Sequence, residues 1–478
     1  MSVHFVTVGT WPVLVETLWE RIARVGQFQF SHVVEPGSSR HTWKNGEPPP
    51  NVYFIADVPI PRMPKPDIEL LSSLECDGVP SVHNMILSDR IVSKLDYAEA
   101  LGYCTFLVQR LATLYKKLRP TVIIGSFDAL HGGLGLAVAR SLNIPWFALN
   151  FSVIPAGLAS FCDGMSPTAR VMLDTRQLWD VAAAAESALE SFLTRKVHAP
   201  AYIAPKSRGL AGSIGRLPAR VAKAFWMLRI ARHRRYLKFV REPGGYDLCA
   251  AVRRIYRLAA ANAALGKMHL IEEPPAGPYV LFGLHTQPES SIDVWAPFYS
   301  NQLWVIELLA RSIPPSHGLL VKVHKSDVSN YSREQLEHMR SFPGVQLVAP
   351  FADTRKLIEN AALLFSIQGT MGLEAALLGK PLITLGESPV ACFPSVSPIG
   401  RLVDLPKLVR RKLTETAPSR KQILDAYQEY LRPFAPASYN DWTKKPDERE
   451  IVAFSRLFEA LASHVRPTGS TPLGQSAG

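Results

Sequence analysis

Short, mostly apolar runs recur along the chain, several of them ending in a small polar or glycine-bearing turn and followed by a stretch with helical spacing. In the first half the runs are 3–8, 30–34, 52–55, 121–124 and 146–149. In the second they are 279–282, 319–323, 346–348, 361–367 and 381–385. Runs this short, apolar on both faces, predict buried parallel strands. Between them, 13–25, 88–118, 134–142, 174–193, 248–265, 301–312, 353–360 and 371–378 predict helices. Strand and helix in alternation predict an α/β fold with doubly wound sheets. The pattern breaks at the polar stretch 37–50, at the proline-bearing 59–66 and at Pro274-Pro275-Ala276-Gly277-Pro278, which reads as an interdomain linker. The expected division is an N-terminal Rossmann-like domain over 1–270, a C-terminal one over 279–465, and a disordered Gly/Ser/Pro-rich tail over 466–478.

The stretch 358–387, IENAALLFSIQGTMGLEAALLGKPLITLGE, is the most informative. A strand runs into the turn Gln368-Gly369-Thr370, a helix follows to its stop at Gly379, and Pro381 opens the next strand. Open α/β sheets bind ligands at the carboxyl ends of their strands. There the new helix presents free N–H groups and its positive dipole end, Gly369 permits close backbone approach, and Thr370 offers a hydroxyl. A phosphate fits such a turn. Glu374, one helical turn on, suits the hydroxyls of a ribose; the competing reading is an ordinary βαβ unit with a surface glutamate. Two further strand ends are polar and partly cationic: the loop GLHTQPESS, with His285, Gln287 and Glu289, and the run Lys322-Val323-His324. In the first half GSFDALHGG places Asp128 and His131 after the strand 121–124. An aspartate there can deprotonate a hydroxyl with a histidine orienting it, or it can simply cap the following helix.

Composition narrows the partners. A net charge of +12 and 47% hydrophobic residues describe a basic globular chain suited to anionic partners. Its cysteines, Cys76, Cys104, Cys162, Cys249 and Cys392, are scattered without metal-ligand spacing, so no zinc site or disulfide framework is expected. Neither a signal peptide nor an apolar run long enough to span a membrane is evident, and the expected location is the cytoplasm. Residues 206–241 are strongly basic, with Phe225 and Trp226 interleaved. They read either as a helix on the anionic inner face of a membrane or as a solvated or interdomain helix. No nucleic-acid-binding signature accompanies the charge.

The segments LHTQPESS, QLWVIELLA, LLVKVHKSD and GTMGLEAALLGKPLITLG, all within 279–386, resemble bacterial capsule and surface-polysaccharide biosynthesis proteins. A weaker likeness covers 120–152. The resemblance implies the GT-B glycosyltransferase architecture, two Rossmann-like domains facing across a cleft, and a relation to capsular Kdo and sialic acid transferases. Those use a His-Pro pair and a Ser/Thr-rich turn to hold a CMP-sugar. His324 matches the histidine while Lys325 replaces the proline, which leaves UDP- or GDP-sugars open. By this resemblance Gly369, Thr370 and Glu374 hold phosphate and ribose; with the polar strand-end residues His285, Gln287, Lys322, His324 and Gln368 they make up the expected nucleotide-sugar site, while Asp128, with His131, is the first expected catalytic group and Glu289 the second, and no metal or cofactor is expected. The acceptor is a growing polysaccharide or a lipid-linked glycan. A sugar-nucleotide 2-epimerase on the same fold and a non-catalytic assembly factor are the alternatives.

Overall fold

The computed structural model describes residues 3–10, 12–34, 47–55, 64–89, 92–127, 129–175, 177–194, 248–287, 289–324, 331–437 and 446–465. The basic stretch 206–241, Asp128, Lys325 and the tail 466–478 lie outside them.

The apolar runs form strands buried in two sheets. The first sheet is built from β1 (His4–Thr10), β2 (Gln29–Val34), β3 (Val52–Phe54), β4 (Val122–Gly125), β5 (Trp146–Phe151) and β6 (Leu158–Asp163). The second contains β7 (Tyr279–Gly283), β8 (Gly318–Lys322), β9 (Val345–Val348), β10 (Leu363–Ser366), β11 (Leu382–Thr384) and β12 (Val396–Pro398). A last short strand, β13 (Ala435–Pro436), joins the first sheet. The orders are β13-β6-β5-β4-β1-β2-β3 and β12-β11-β10-β7-β8-β9. The second sheet is parallel throughout. In the first, β6 runs antiparallel to both β5 and β13.

Each sheet is covered on both faces. Along β7, Tyr279 and Leu281 pack into one core with Leu373 and Tyr427, while Val280 and Phe282 pack into another with Val305, Ile306 and Leu336. Along β1, Val6 and Val8 face the helices Tyr97–Leu118 and Ala129–Ser141, and Phe5 faces the other side with Trp19, Phe30 and Phe458. The fold is thus mixed α/β with two largely parallel-sheet, Rossmann-like units, as the resemblance implies.

The unit boundaries differ from the sequence expectation at both ends of the second sheet. Helix Leu248–Leu265, expected in the first domain, buries Ala261, Ala264 and Leu265 against the second sheet. Residues from 435 onward, expected in the second domain, return to the first: β13 pairs with β6, and helix Glu448–Val465 packs on the helix Glu20–Gly26. Phe458 anchors this return, ringed by Phe5, Trp19 and Phe161 at centroid distances of 5.1, 5.8 and 5.4 Å. Phe458→Ala is expected to lower unfolding free energy by about 3–5 kcal/mol, the range for emptying a buried aromatic site. Urea denaturation checks it.

Both sheets reverse direction beside their first strand. In the second, the chain winds from β7 through β8 to β9, then restarts on the other side of β7 with β10, β11 and β12. The carboxyl ends of β7 and β10 therefore flank a topological switch point, the place where such sheets open a ligand crevice. In the first sheet the same reversal lies between β1 and β4.

Candidate functional site

The switch point of the second sheet brings together strand ends that are far apart in sequence. After β10, Ser366 donates through Oγ to the Gln368 carbonyl at 2.7 Å, tightening the turn. Gly369 follows with φ +95° and ψ −177°, a conformation essentially restricted to glycine. A Cβ at this position would stand 3.2 Å from His285 Cε1, so the missing side chain also admits the imidazole. Helix Thr370–Leu377 starts directly afterwards, and no side chain caps its N-terminus, so its first N–H groups face the crevice end of the strands. Gln368 is 97% buried by side chain and backbone together, and its Nε2 has no hydrogen-bond partner among the described residues. An orphaned buried amide beside uncapped N–H groups makes a donor-rich pocket, complementary to an anion.

His285, on the loop after β7, closes one side of this turn. Its Nε2 accepts the Gln368 backbone N–H at 3.4 Å, which leaves the ring proton of the neutral form on Nδ1. Burial, and secondarily the neighbouring His324, pulls its pKa down to about 4. His285 is thus an uncharged imidazole near neutral pH. His324 follows β8, and its Nδ1 lies 2.8 Å from Thr286 Oγ1, joining the β8 end to the β7 loop. The three adjacent strand ends are therefore linked through His285, Thr286 and His324.

Other expected site residues are placed differently. Lys322 directs its ammonium at the carbonyls of Pro350 (2.8 Å) and Ala349 (3.5 Å), beyond β9, and is buried. Gln287 gives Nε2 to Asp293 Oδ1 at 3.0 Å and accepts from Gln302 Nε2 at 2.9 Å, so both ends of its amide serve the loop itself. Glu289 is exposed, its N–H held by Asp293 Oδ2 at 2.9 Å and its Oε2 accepting from Ser291 Oγ at 3.0 Å. Thr370 and Glu374 lie on the first turns of the helix Thr370–Leu377, both partly buried.

In the first unit, His131 sits in the first turn of the helix Ala129–Ser141, one of the two placements the sequence allows. It is buried, with Nε2 3.3 Å from the Tyr103 hydroxyl. Gly132 and Gly133 serve close packing within this helix: a Cβ would stand 2.3 Å from the Ser126 carbonyl oxygen and 2.6 Å from Met85 Sδ respectively. Phe127, at the end of β4, meets Trp295 edge-on at 5.0 Å, so the loop carrying His285 continues into a direct contact with the first unit. A second contact joins Glu387 Oε2 to Ser166 Oγ (2.9 Å) and Thr168 Oγ1 (3.3 Å).

Thr286, Gln302, Asp293 and Ser366 also shape the site without belonging to any of the motifs that mark it in the sequence. Each acts through a hydrogen bond to a residue between two and 38 positions away, a pairing that no local motif announces.

No protein of curated function matches the sequence. Among solved structures, KpsC of Thermosulfurimonas dismutans, a beta Kdo 2,4 transferase, matches at TM-score 0.35 and 14% identity over 64% of this chain and 79% of that one. UDP-GlcNAc 2-epimerase of Methanocaldococcus jannaschii, in complex with UDP-GlcNAc and UDP, matches at TM-score 0.29 and 12% identity over 89% and 98%. Superpositions this loose support no argument by themselves. The family model described as "Capsule polysaccharide biosynthesis protein" matches residues 190–395. That stretch holds His285, His324, the Gly369 turn and Glu374, and leaves out His131. Across that stretch, the chain is similar to the capsule polysaccharide biosynthesis proteins.

Proposed function

We propose that the protein is a GT-B-type glycosyltransferase of capsule assembly, taking a sugar from a nucleotide-activated donor. One observation carries this reading: His285, His324 and the uncapped turn at Gly369 converge on the switch point between β7 and β10. A donor diphosphate or monophosphate matches that set, with the helix N–H groups and Thr370 binding the phosphate and His324 stabilising the charge that develops as it leaves. The stabilisation requires no metal. Glu374, one turn along the helix, is assigned to the ribose hydroxyls, and Gln368 to a donor phosphate or sugar oxygen.

Lys322 contributes from behind the strand ends: its charge favours an anion in the crevice while its hydrogen bonds hold the loop after β9. Gln287 acts through the loop it ties together. On the acceptor side, Asp128 is assigned as general base, His131 as the group that orients it, and Glu289 as the second carboxylate candidate. The acceptor is a surface polysaccharide or its lipid-linked precursor. Among the described residues no helix is long and apolar enough to cross a membrane. The basic stretch 206–241 is our candidate for contact with an anionic inner membrane face.

An NMR time course with donor alone and with donor plus capsule oligosaccharide tests the reading. Transfer only when acceptor is present is expected, with His324→Ala reducing kcat by roughly a hundredfold, the scale of losing one transition-state donor. Asp128→Asn is expected to reduce kcat with little change in donor affinity. Turnover of donor alone would replace transfer by epimerisation, and full activity in Asp128→Asn would remove its role as base.

A further inference from the structure

We propose that Gln302 is the positioning residue of this site: from the first turn of its helix, its amide fixes the backbone of His285 and so aims the imidazole at the turn after β10. The inference rests on the nucleotide-sugar reading for its function, but not for its structural evidence.

Gln302 opens the helix Gln302–Ala310, whose inward residues Val305, Ile306 and Leu309 are apolar. Its own exposure is 3%. An amide buried this deeply costs stability unless its hydrogen bonds are made, and an apolar residue would fill the space at lower cost. Here the bonds are made, and they converge on one loop. Gln302 Oε1 accepts the His285 N–H at 2.7 Å, and Nε2 donates to the His285 carbonyl at 3.0 Å. The side chain thereby takes the place of a neighbouring strand for a residue that has just left β7. The same Nε2 donates to Gln287 Oε1 at 2.9 Å.

The chain of bonds continues outward. Gln287 Nε2 donates to Asp293 Oδ1, Asp293 Oδ2 accepts the Glu289 N–H, and the Asp293 carbonyl accepts from Ser88 Oγ of the first unit. Residues His285, Gln287 and Glu289 are thus held by Gln302 on one side and by Asp293 on the other, with Gln287 between them. His285 in turn meets the Gln368 N–H and Gly369, where a Cβ would already be at 3.2 Å. Both the hydrogen bond and this close approach depend on where the loop sets the imidazole. Fixing a reacting group through a fully bonded buried neighbour is the general means of preorganising a site.

The test uses the full chain and two variants. Gln302→Met keeps volume and removes every hydrogen bond; Gln302→Asn keeps the amide but withdraws it by one methylene and guards against a folding defect in the first. The primary readout is the carbon-13 signal of the His285 imidazole in the ligand-free protein, identified by its absence in His285→Gln. In the wild type, His285 is expected to hold one tautomer and to stay neutral through the mildly acidic range. In both variants it is expected to average between tautomers and to titrate nearer the ordinary histidine value. Calorimetry with CMP, UDP and GDP as probes is expected to show a roughly tenfold loss of affinity for whichever the wild type binds, the scale of one net hydrogen bond or two. A wild-type His285 signal in either folded variant overturns the proposal. Absence of binding by all three nucleotides to the wild type counts against the nucleotide-sugar reading, and the imidazole signal still decides the role of Gln302.

Discussion

Gly369→Ala is expected to disable nucleotide binding while leaving the fold intact. Two separate costs meet at this residue. The backbone sits at φ +95° and ψ −177°, a region that L-residues essentially do not occupy, so alanine either strains the turn or rebuilds it, at about 1–3 kcal/mol. The new Cβ also arrives 3.2 Å from His285 Cε1, pressing on an imidazole whose Nε2 holds the Gln368 N–H. Rebuilding the turn would redirect the N–H groups that open the helix Thr370–Leu377, which are the proposed phosphate donors. Calorimetry is expected to show nucleotide affinity falling by more than about tenfold. Gly400→Ala is the control, because a Cβ there meets nothing within 4 Å, and it should behave as wild type. Wild-type affinity in Gly369→Ala would mean that the phosphate is bound elsewhere.

The second large effect is on stability in mild acid. An ordinary histidine takes up its proton near pH 6.5, whereas burial and the nearby His324 hold His285 down to about 4. Between these values the unfolded chain binds a proton that the folded chain refuses, so unfolding is favoured as pH falls. The contribution is fully present above pH 6.5 and is lost progressively as pH drops towards about 4, on the order of 3 kcal/mol in total, or about 1.4 kcal/mol per pH unit within the window. His32 and His4, whose pKa values are also lowered chiefly by burial, act in the same direction. Urea denaturation at several pH values should show this slope in the wild type. His285→Gln should flatten it by about one proton's worth. An unchanged slope would mean that His285 is protonated in the native state.

The strands were legible because parallel strands buried on both faces must be apolar throughout: VLF in β7, LLV in β8 and LLF in β10 carry that requirement openly. The turn at Gly369 was legible for a similar reason, since a glycine between a strand and a helix marks a backbone that other residues avoid. Less was legible where a residue's meaning depends on a distant partner. The amphipathic pattern of 448–465 shows that one face is buried but not that Phe458 returns to Phe5 in the first sheet. Gly132 and Gly133 look the same in sequence whether they make a turn or admit a neighbour; the Ser126 carbonyl and Met85 show the latter, and the helix accordingly begins at Ala129. Lys322 reads as a cation at a strand end, yet the direction of its side chain is set by the carbonyls of Ala349 and Pro350. Gln302 lies in a run that reads simply as an apolar helix, and its role emerges only when the β7 loop folds back upon it.

A nucleotide-activated sugar bound in the crevice between β7 and β10 should stabilise the protein against heat. A thermal-shift series against CMP-, UDP- and GDP-sugars, run on the wild type and on Gly369→Ala, tests it most directly. One nucleotide class is expected to stabilise the wild type, by about 2.7 kcal/mol at a hundred times its Kd, and this stabilisation is expected to be lost in the variant. Equal stabilisation of both proteins, or of neither by any of the three classes, would contradict it.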